Sequence, residues 1–468
     1  MFKPTKLATA VALSIFLVGC ANIDDSHKQS EKTFESYQKI TDQYKLDQDW
    51  WKLYHDPQLD KLVAEALANN KDLAKAAIAV NVALYKANLV GASLVPTFSG
   101  TVGASAQKNI KTGQNTQLNP NGGFPPSTTP VLYNGSINVG YTLDLWRRMA
   151  DQTSAAEWQH SASIEDLESA KLSLVNAVVG TYYQLAYLQE AITITEQSIH
   201  DYQQINHIML NKKAQGVVDG ASTNQTERAV LAAENNLSQL QDQQKVVQAM
   251  MRNLLNLKPS DPLNIQLPNL LDTKLAGVNL NVPVSVIANR PDVKSKLYLL
   301  NSAFKDAKAT QKSWFPTITL GASLGGRSDR IGTTLHSPFA SGLVSVNLPF
   351  LSWNTVRWNV KISEAAYNLA KVNFEQSITT ALNEIDKNYF AYQQAQEQFN
   401  NEEGIYNTSA YMARYYKNRY TVGVTELRDW LNAKNSENAA KLALLGAKNK
   451  LIQTENAIYS AMGGYYAK

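Results

Sequence analysis

The sequence predicts a mainly helical fold built by internal duplication, with a β-hairpin of membrane type in each half. Three patterns carry that prediction. The first is residues 146–258, where there is no proline and glycine occurs only at positions 180, 216 and 220. Leu167, Leu174, Val178, Leu185, Leu188, Ile192 and Ile199 recur at three- and four-residue steps, with Glu168, Lys171, Gln184, Gln189 and Glu196 between them. That is the spacing of an amphipathic helix, sustained before Gly216 for roughly 100 Å. It also suits helices packed side by side as a coiled coil. Gly216-Val217-Val218-Asp219-Gly220 interrupts it, and a second helical run returns toward Lys258. The result is a very long helical hairpin.

The second pattern is a twin of the first. Residues 352–462 again lack proline, and only Gly404 and Gly423 precede Gly446. Gly423-Val424-Thr425-Glu426 answers Gly216-Val217-Val218-Asp219, and Tyr389-Phe390 answers Tyr182-Tyr183 at the same offset. Upstream, Ala288-Asn289-Arg290-Pro291-Asp292-Val293 answers Ala68-Asn69-Asn70-Lys71-Asp72-Leu73, and Pro316-Thr317 answers Pro96-Thr97. The period is far too long for a solenoid, so the chain is a duplication.

The third pattern has period two. In residues 133–143, Tyr133, Ile137, Val139, Tyr141 and Leu143 alternate with Asn134, Ser136, Asn138 and Thr142. This predicts a strand with one apolar and one polar face. Phe98, Val102, Ala104 and Ala106 suggest its partner across a loop of Gly, Asn, Pro, Ser and Thr from Asn109 to Pro130. The second half offers Ile318, Leu320, Ala322 and Leu324, then Val344, Val346 and Leu348, around a shorter loop with Arg327, Asp329, Arg330 and Pro338.

Composition narrows the partners. A net charge of +4 over 468 residues gives no concentrated basic face, so nucleic acid is excluded as a partner. No window holds eighteen uninterrupted apolar residues, so no transmembrane helix is expected in the mature chain. The N-terminus reads as an export signal: Lys3 and Lys6, an apolar run to Val18, then small residues. It ends Leu17-Val18-Gly19-Cys20, the pattern of a bacterial lipobox, and Cys20 is the single cysteine. On that reading Cys20 carries S-diacylglycerol and, after cleavage, an N-acyl (palmitoyl) chain, which together anchor stably where one chain is marginal. Ala21 follows in place of the Asp that favours inner-membrane retention, which makes the outer membrane the expected destination. An ordinary signal peptide with an incidental cysteine is the alternative.

Residues 21–49 are polar without strong periodicity and read as a tether and wrapping segment. Trp50-Trp51 precedes Asp56-Pro57, where proline suits a helix start, and Leu59, Leu62, Val63, Ala66 and Leu67 form an apolar face behind it. An alanine-rich helix follows from Asp72 to Leu94, aligning Leu73, Ala77, Val80, Leu84 and Ala87, and Val95-Pro96 ends it. Pro259, Pro262, Pro268 and Pro283 punctuate a non-helical connection, and the tail from Gly463 has no assignment. A soluble sheet is the plain reading of the strands. Export, lipidation, strand length near ten residues and long polar loops at one end favour a barrel wall in an outer membrane. Four strands cannot close a barrel, so several chains must contribute, and a trimer would supply twelve.

At this point the chain resembles the outer-membrane factors of tripartite efflux pumps, the TolC-like family, and within it the lipoprotein branch serving resistance-nodulation-division (RND) transporters. Four segments carry the resemblance: Trp50-Trp51 with Asp56-Pro57-Gln58-Leu59; Tyr141-Thr142-Leu143-Asp144-Leu145-Trp146-Arg147; Asn289-Arg290-Pro291-Asp292; and Phe315-Pro316-Thr317-Ile318. The resemblance implies a homotrimer. Its twelve-stranded outer-membrane β-barrel would continue into a twelve-helix periplasmic α-barrel girdled by an equatorial domain. It also implies a periplasmic adaptor, an inner-membrane RND transporter and outer-membrane lipid as partners. The expected division is a signal peptide at 1–19 and a lipid tether and equatorial segment at 20–71. The first repeat would span 72–258 (β-hairpin 97–143, helical hairpin 147–258) and an equatorial linker 259–288. The second repeat would span 289–462 (β-hairpin 317–349, helical hairpin 354–462), with a tail at 463–468.

The resemblance further implies that the helical tips close the tunnel, with acidic rings attracting cations at the constriction. Carried onto this chain, the gate falls on Asp429 first, then Arg428 and Asn432, with Tyr420 in support. Asp429 and Asn432 lie three apart and can share one helix face. Relatives often carry a second carboxylate where Asn432 stands, and some an Arg where Thr425 stands. The turns Gly216, Val217, Val218 and Gly423, Val424, Thr425 are expected to contact the adaptor. The bland alternative makes Arg428 and Asp429 solvated residues after a turn.

No phosphate loop or HExxH occurs. His200 and His207 are two turns apart, too far for joint metal ligation without another partner. The expectation is therefore no enzyme, no metal and no cofactor beyond the lipid, in a passive duct for drugs and other small molecules. An exit duct for type I protein secretion and a periplasmic coiled-coil scaffold lipoprotein are the alternatives.

Overall fold

A computed structural model describes residues 20–106, 131–334, 336 and 338–467. The expected signal segment and the loop from Asn109 to Pro130 lie outside the described residues. In chain order the elements are α1 (Cys20–Thr41), β1 (Lys45–Asp47), α2 (Pro57–Asn69), α3 (Lys71–Gly91), β2 (Thr97–Ala106), β3 (Val131–Leu143), α4 (Arg148–Ala214) and α5 (Gly220–Leu255). Then come α6 (Pro291–Gln311), β4 (Thr317–Ser328), β5 (Pro338–Asn347), α7 (Trp353–Thr421), α8 (Leu427–Met462) and β6 (Tyr465–Ala467). The two long helices hold 67 and 69 residues, and each return helix holds 36. The chain is mainly helical, and each half repeats the order helix, β-hairpin, long helical hairpin.

Two compact units form, each drawing on both halves. One comprises the described residues of Met1–Val80, Ala162–Leu297 and Val372–Lys468. Its core joins Trp50, Leu59, Val63, Tyr182, Tyr183, Met251, Leu270, Leu445, Ile452 and Tyr459. Asp56 and Pro57 start α2 as expected. The Asp56 carboxylate accepts from the Gln58 and Leu59 amides at 2.9 and 3.2 Å, and its other oxygen takes the Tyr182 hydroxyl at 2.8 Å. Arg290 is buried where the second half begins. Its guanidinium grips Asp292 in bidentate fashion at 3.0 and 2.8 Å, reaches Glu384 at 2.7 Å, and donates to the Ala461 carbonyl.

Along α4 and α8 the seam is partly polar. Asn438 donates to Ser198, Asn449 to Gln184, Gln453 to the Gly180 carbonyl and Asn456 to the Asn176 carbonyl, at 2.7 to 3.1 Å. These rungs run in opposite sequence directions, which makes the two helices antiparallel. Between the last two of these rungs, Glu455 is fully buried and accepts from the Tyr54 hydroxyl at 2.9 Å, the Gly277 amide at 2.6 Å and the Tyr459 hydroxyl at 3.3 Å. Burial raises its pKa, partly offset by those donors.

The structure adds detail where the sequence carried no pattern. The expected tether and wrapping segment at 21–49 holds β1 and, before it, most of α1, a helix of 22 residues. Its buried positions are Ile23, His27, Ser30 and Thr41, mostly polar, so no hydrophobic periodicity announced it. The unassigned tail forms β6, antiparallel to β1 with Leu46 opposite Tyr466. Pairing between segments so distant in sequence leaves no local signal.

The second unit comprises Asn81–Ser161 and Tyr298–Lys371. It holds one antiparallel sheet in the order β2-β3-β4-β5. At its helical end, Asp144 accepts from the Met149 and Ala150 amides at 3.0 and 2.8 Å and so caps α4. Trp146 stacks on Phe315 at 4.8 Å and donates to the Pro316 carbonyl at 2.8 Å, and Lys312 pairs with Asp151. The strand-to-helix junction of the first half is thereby tied to the helix-to-strand junction of the second.

Among the described residues one helix is long and apolar enough to cross a membrane by length and composition alone. The segment Lys71–Leu94 reaches a mean hydropathy of 1.3 over eighteen residues, although Asn and Lys interrupt any continuous apolar run. Ile78, Val82, Tyr85 and Leu89 form an exposed stripe, separate from the face that the sequence pattern selected. A helix apolar on two sides suits neighbours on two sides.

Candidate functional site

Two regions are candidates, each within its own unit: a two-faced sheet and a pair of helical tips. In the sheet, residues directly opposite share a face. Val139 pairs with Phe98 and Ala322, and Tyr141 with Leu320, which in turn pairs with Val344. One face therefore gathers Phe98, Val102, Ile137, Val139, Leu320, Leu324, Val344 and Val346 from all four strands. Val102 is 92% exposed and Phe98 75%. The opposite face gathers Thr, Ser and Asn, with Thr142 hydrogen-bonded to Thr319 at 3.2 Å and Asn138 to Thr101 at 3.5 Å. Neither face carries a charge between Thr97 and Ala106 or between Val131 and Leu143. The outer edges of β2 and β5 have no strand partner among the described residues.

The tips close both helical hairpins with one device. Gly216 and Gly423 adopt φ of 69° and 77°. In the first tip, the Gly216 amide bonds to the Lys213 carbonyl and Val217 to Lys212, each at 2.9 Å. In the second, Gly423 bonds to Tyr420 and Val424 to Arg419, again at 2.9 Å. Both are Schellman turns, which need the left-handed region that glycine reaches without a Cβ penalty. Val217 and Val424 project into solvent, whereas Val218 packs with Leu427 on a cluster of Ile205, Met209 and Leu431. The Thr425 hydroxyl is buried without a hydrogen-bond partner.

Around the second tip the structure assembles more than the sequence suggested. Tyr420 stacks on Trp430 at 5.5 Å, with the Lys417 ammonium 5.8 Å from the same indole. Arg428 lies 3.5 Å from Asp429 and 4.0 Å from Glu426. Asp429 is half-buried, and Asn432 one turn on is exposed. Lys212 of the first tip reaches Glu426 of the second at 2.6 Å, and that contact draws the Glu426 pKa below its usual value. Glu426, Lys212, Lys417 and Trp430 were not anticipated. Trp430 beside Asp429 was a visible signal, but nothing in the sequence joins Lys212 to Glu426. Cys20 is the first residue of α1.

Each half of the chain supplies one long helical hairpin, and the sheet has opposed polar and apolar faces. The chain matches the outer membrane efflux protein family over residues 62–257 and 282–464. It is 52% identical over 467 residues to toxin and drug export protein A of Aggregatibacter actinomycetemcomitans, covering 100% of this chain and 99% of that protein. A probable efflux pump outer membrane protein of Pseudomonas putida, TtgC, is 24% identical over 98% of this chain and 96% of its own length. Among solved structures, the Campylobacter jejuni CmeC outer membrane channel superposes with a TM-score of 0.78 at 23% identity, covering 90% of this chain and 89% of that one. The chain belongs to the outer membrane efflux protein family. It is a TolC-like channel protein, not an enzyme.

Proposed function

We propose that this chain is one subunit of a homotrimeric exit duct that passes drugs and other small molecules across the outer membrane. It would do so passively, coupled through a periplasmic adaptor to an inner-membrane RND transporter. One observation carries the reading: a four-stranded sheet, apolar on one face and polar on the other, with neither edge paired among the described residues. Edges left open in a bilayer expose unpaired backbone groups, and about eight strands are the smallest number that closes. Three copies joined edge to edge give twelve, with the apolar face to lipid and the polar face to the lumen. The helical hairpins would continue the wall into the periplasm, and Cys20 would carry the lipid anchor in the outer leaflet's partner monolayer.

The tips are the gate in this reading. Val217 and Val424 offer apolar knobs to the adaptor, and Lys212–Glu426 ties the two hairpins of one subunit together. Three Asp429 carboxylates around a narrow aperture would attract cations, moderated by Arg428 beside each. The test is conductance of the purified protein in planar bilayers, with oligomer mass measured alongside. Trimers giving discrete cation-preferring channels are expected, and monomers that never conduct would defeat the proposal. Asp429→Ala should weaken block of the current by divalent cations. An unchanged block removes Asp429 from the selectivity role. The name of the Aggregatibacter relative includes toxin export, which favours protein secretion as the second reading. A deletion strain that loses a secreted protein while keeping its drug tolerance would select it.

A further inference from the structure

The polar face of the sheet has three apolar exceptions, Leu132 at the loop end of β3 and two residues on β5. Apart from Leu132 and Arg327, that face is Ser, Thr, Asn or Gly on β2, β3 and β4. On β5 it holds Phe339 and Leu343 among Ser341, Ser345 and Asn347. Both are open to solvent, at 46% and 66%. Their partners on β4 are both glycines: Phe339 faces Gly325, and Leu343 faces Gly321, which in turn faces Gly140. Each bulky apolar side chain thus stands beside positions that carry none. A Cβ at Gly321 would come within 3.6 Å of the Leu343 Cβ, so the shallow recess there depends on the glycine.

The two residues are four apart on one strand face, about 13 Å at the rise of a β-strand. That is the length of a medium hydrocarbon chain. Arg327 sits two residues beyond Gly325 on the same face, diagonal to Phe339 and within reach of a long side chain. It is exposed and lies at the loop end of the hairpin, opposite the end that joins the helices. An apolar track ending in a cation is complementary to an amphiphilic anion.

We infer that Phe339, Leu343 and Arg327 form a transit site for amphiphilic anions on the inner wall of the duct. The apolar body lies along Leu343 and Phe339 over the glycine recess, and the anionic head meets Arg327 toward the exterior. Three equivalent sites would line the barrel. The inference rests on the proposal that the polar face is the lumenal one, and it adds a ligand class to that duct.

Octanoate is the probe, with acetate and octylammonium as controls. Octanoate should partly block single-channel current at concentrations where acetate does not, and more strongly than octylammonium. In Phe339→Ser/Leu343→Ser the octanoate block should weaken at least about fivefold, with open-channel current retained. Phe339→Leu should keep most of the block, and Arg327→Glu should invert the preference toward octylammonium. The same titration is followed by calorimetry on nanodisc-held protein, so that a closed tip does not conceal binding. A conducting channel whose octanoate block and binding are unchanged in the double serine variant overturns the site and leaves the duct standing. A double variant that loses its trimer assigns Phe339 and Leu343 to packing between copies, which also overturns it. Wild-type trimers that bind octanoate only from the lipid side defeat the assignment of faces itself.

Discussion

The two hairpin tips begin from the same local sequence and end in different states. Each has glycine in the left-handed region, a valine after it and a carboxylate three residues on. In the first tip the carboxylate is Asp219. It accepts from the Ser222 amide at 3.0 Å and the Ser222 hydroxyl at 2.9 Å, and so caps the helix that it precedes. In the second it is Glu426, at the same place before α8, and it makes no side-chain cap. One methylene longer, it reaches Lys212 of the other tip instead. The first turn is complete by itself, whereas the second leaves α8 uncapped and spends its carboxylate on a neighbour. A tip whose charge is held by another element can be released by whatever competes for that element, which suits the moving part of a gate.

The largest test removes what the tips share. Gly216→Ala and Gly423→Ala should each destabilise their turn by about 1–2 kcal/mol, because both put a Cβ into the left-handed region. Hydrogen exchange across residues 212–220 and 419–427 reads this directly. A variant whose tip kept wild-type protection would show that the left-handed glycine is not what holds that turn.

Next in size is the difference itself. Lys212→Glu should loosen the second tip and raise channel open probability several-fold. Adding Glu426→Lys should return it toward wild type, since the pair is restored in reverse. No recovery in the double variant would mean the pair does not hold the tip. Glu426→Asp is the finer version. The shorter carboxylate should cap α8 and abandon Lys212, converting the second tip to the first: amide protection at the start of α8 rises while open probability also rises.

The smallest effects are those of pH. Donors from Ser222 lower the Asp219 pKa, and Lys212 lowers that of Glu426. Both carboxylates therefore contribute stability that is present above their unfolded pKa and is lost as pH falls through the folded one. Glu455, raised by burial at the other end of α8, has the opposite sign: its contribution is complete below the unfolded pKa and is lost as pH rises through the folded one. Mild acid should loosen the tips while tightening the Glu455 cluster. Glu455→Gln should flatten thermal stability between acid and neutral pH while leaving acid loosening of the tips in place.

Sequence alone determined the periodic elements. Helical spacing and the absence of proline set the two long hairpins, the two glycines set their turns, and alternation set the faces of the strands. These are local quantities, fixed by backbone geometry and by which side of an element meets water. The resemblance, rather than chemistry, singled out Tyr420 at the end of α7 and Arg428, Asp429 and Asn432 at the start of α8. Only the tertiary structure supplied α1, whose buried face is His, Ser and Thr and so has no apolar stripe to read. Only it paired β1 with β6, Arg290 with Glu384, and Lys212 with Glu426. Each joins segments far apart in sequence, and a hydrogen bond or ion pair between them depends on where the packed helices bring the atoms, which no local pattern encodes.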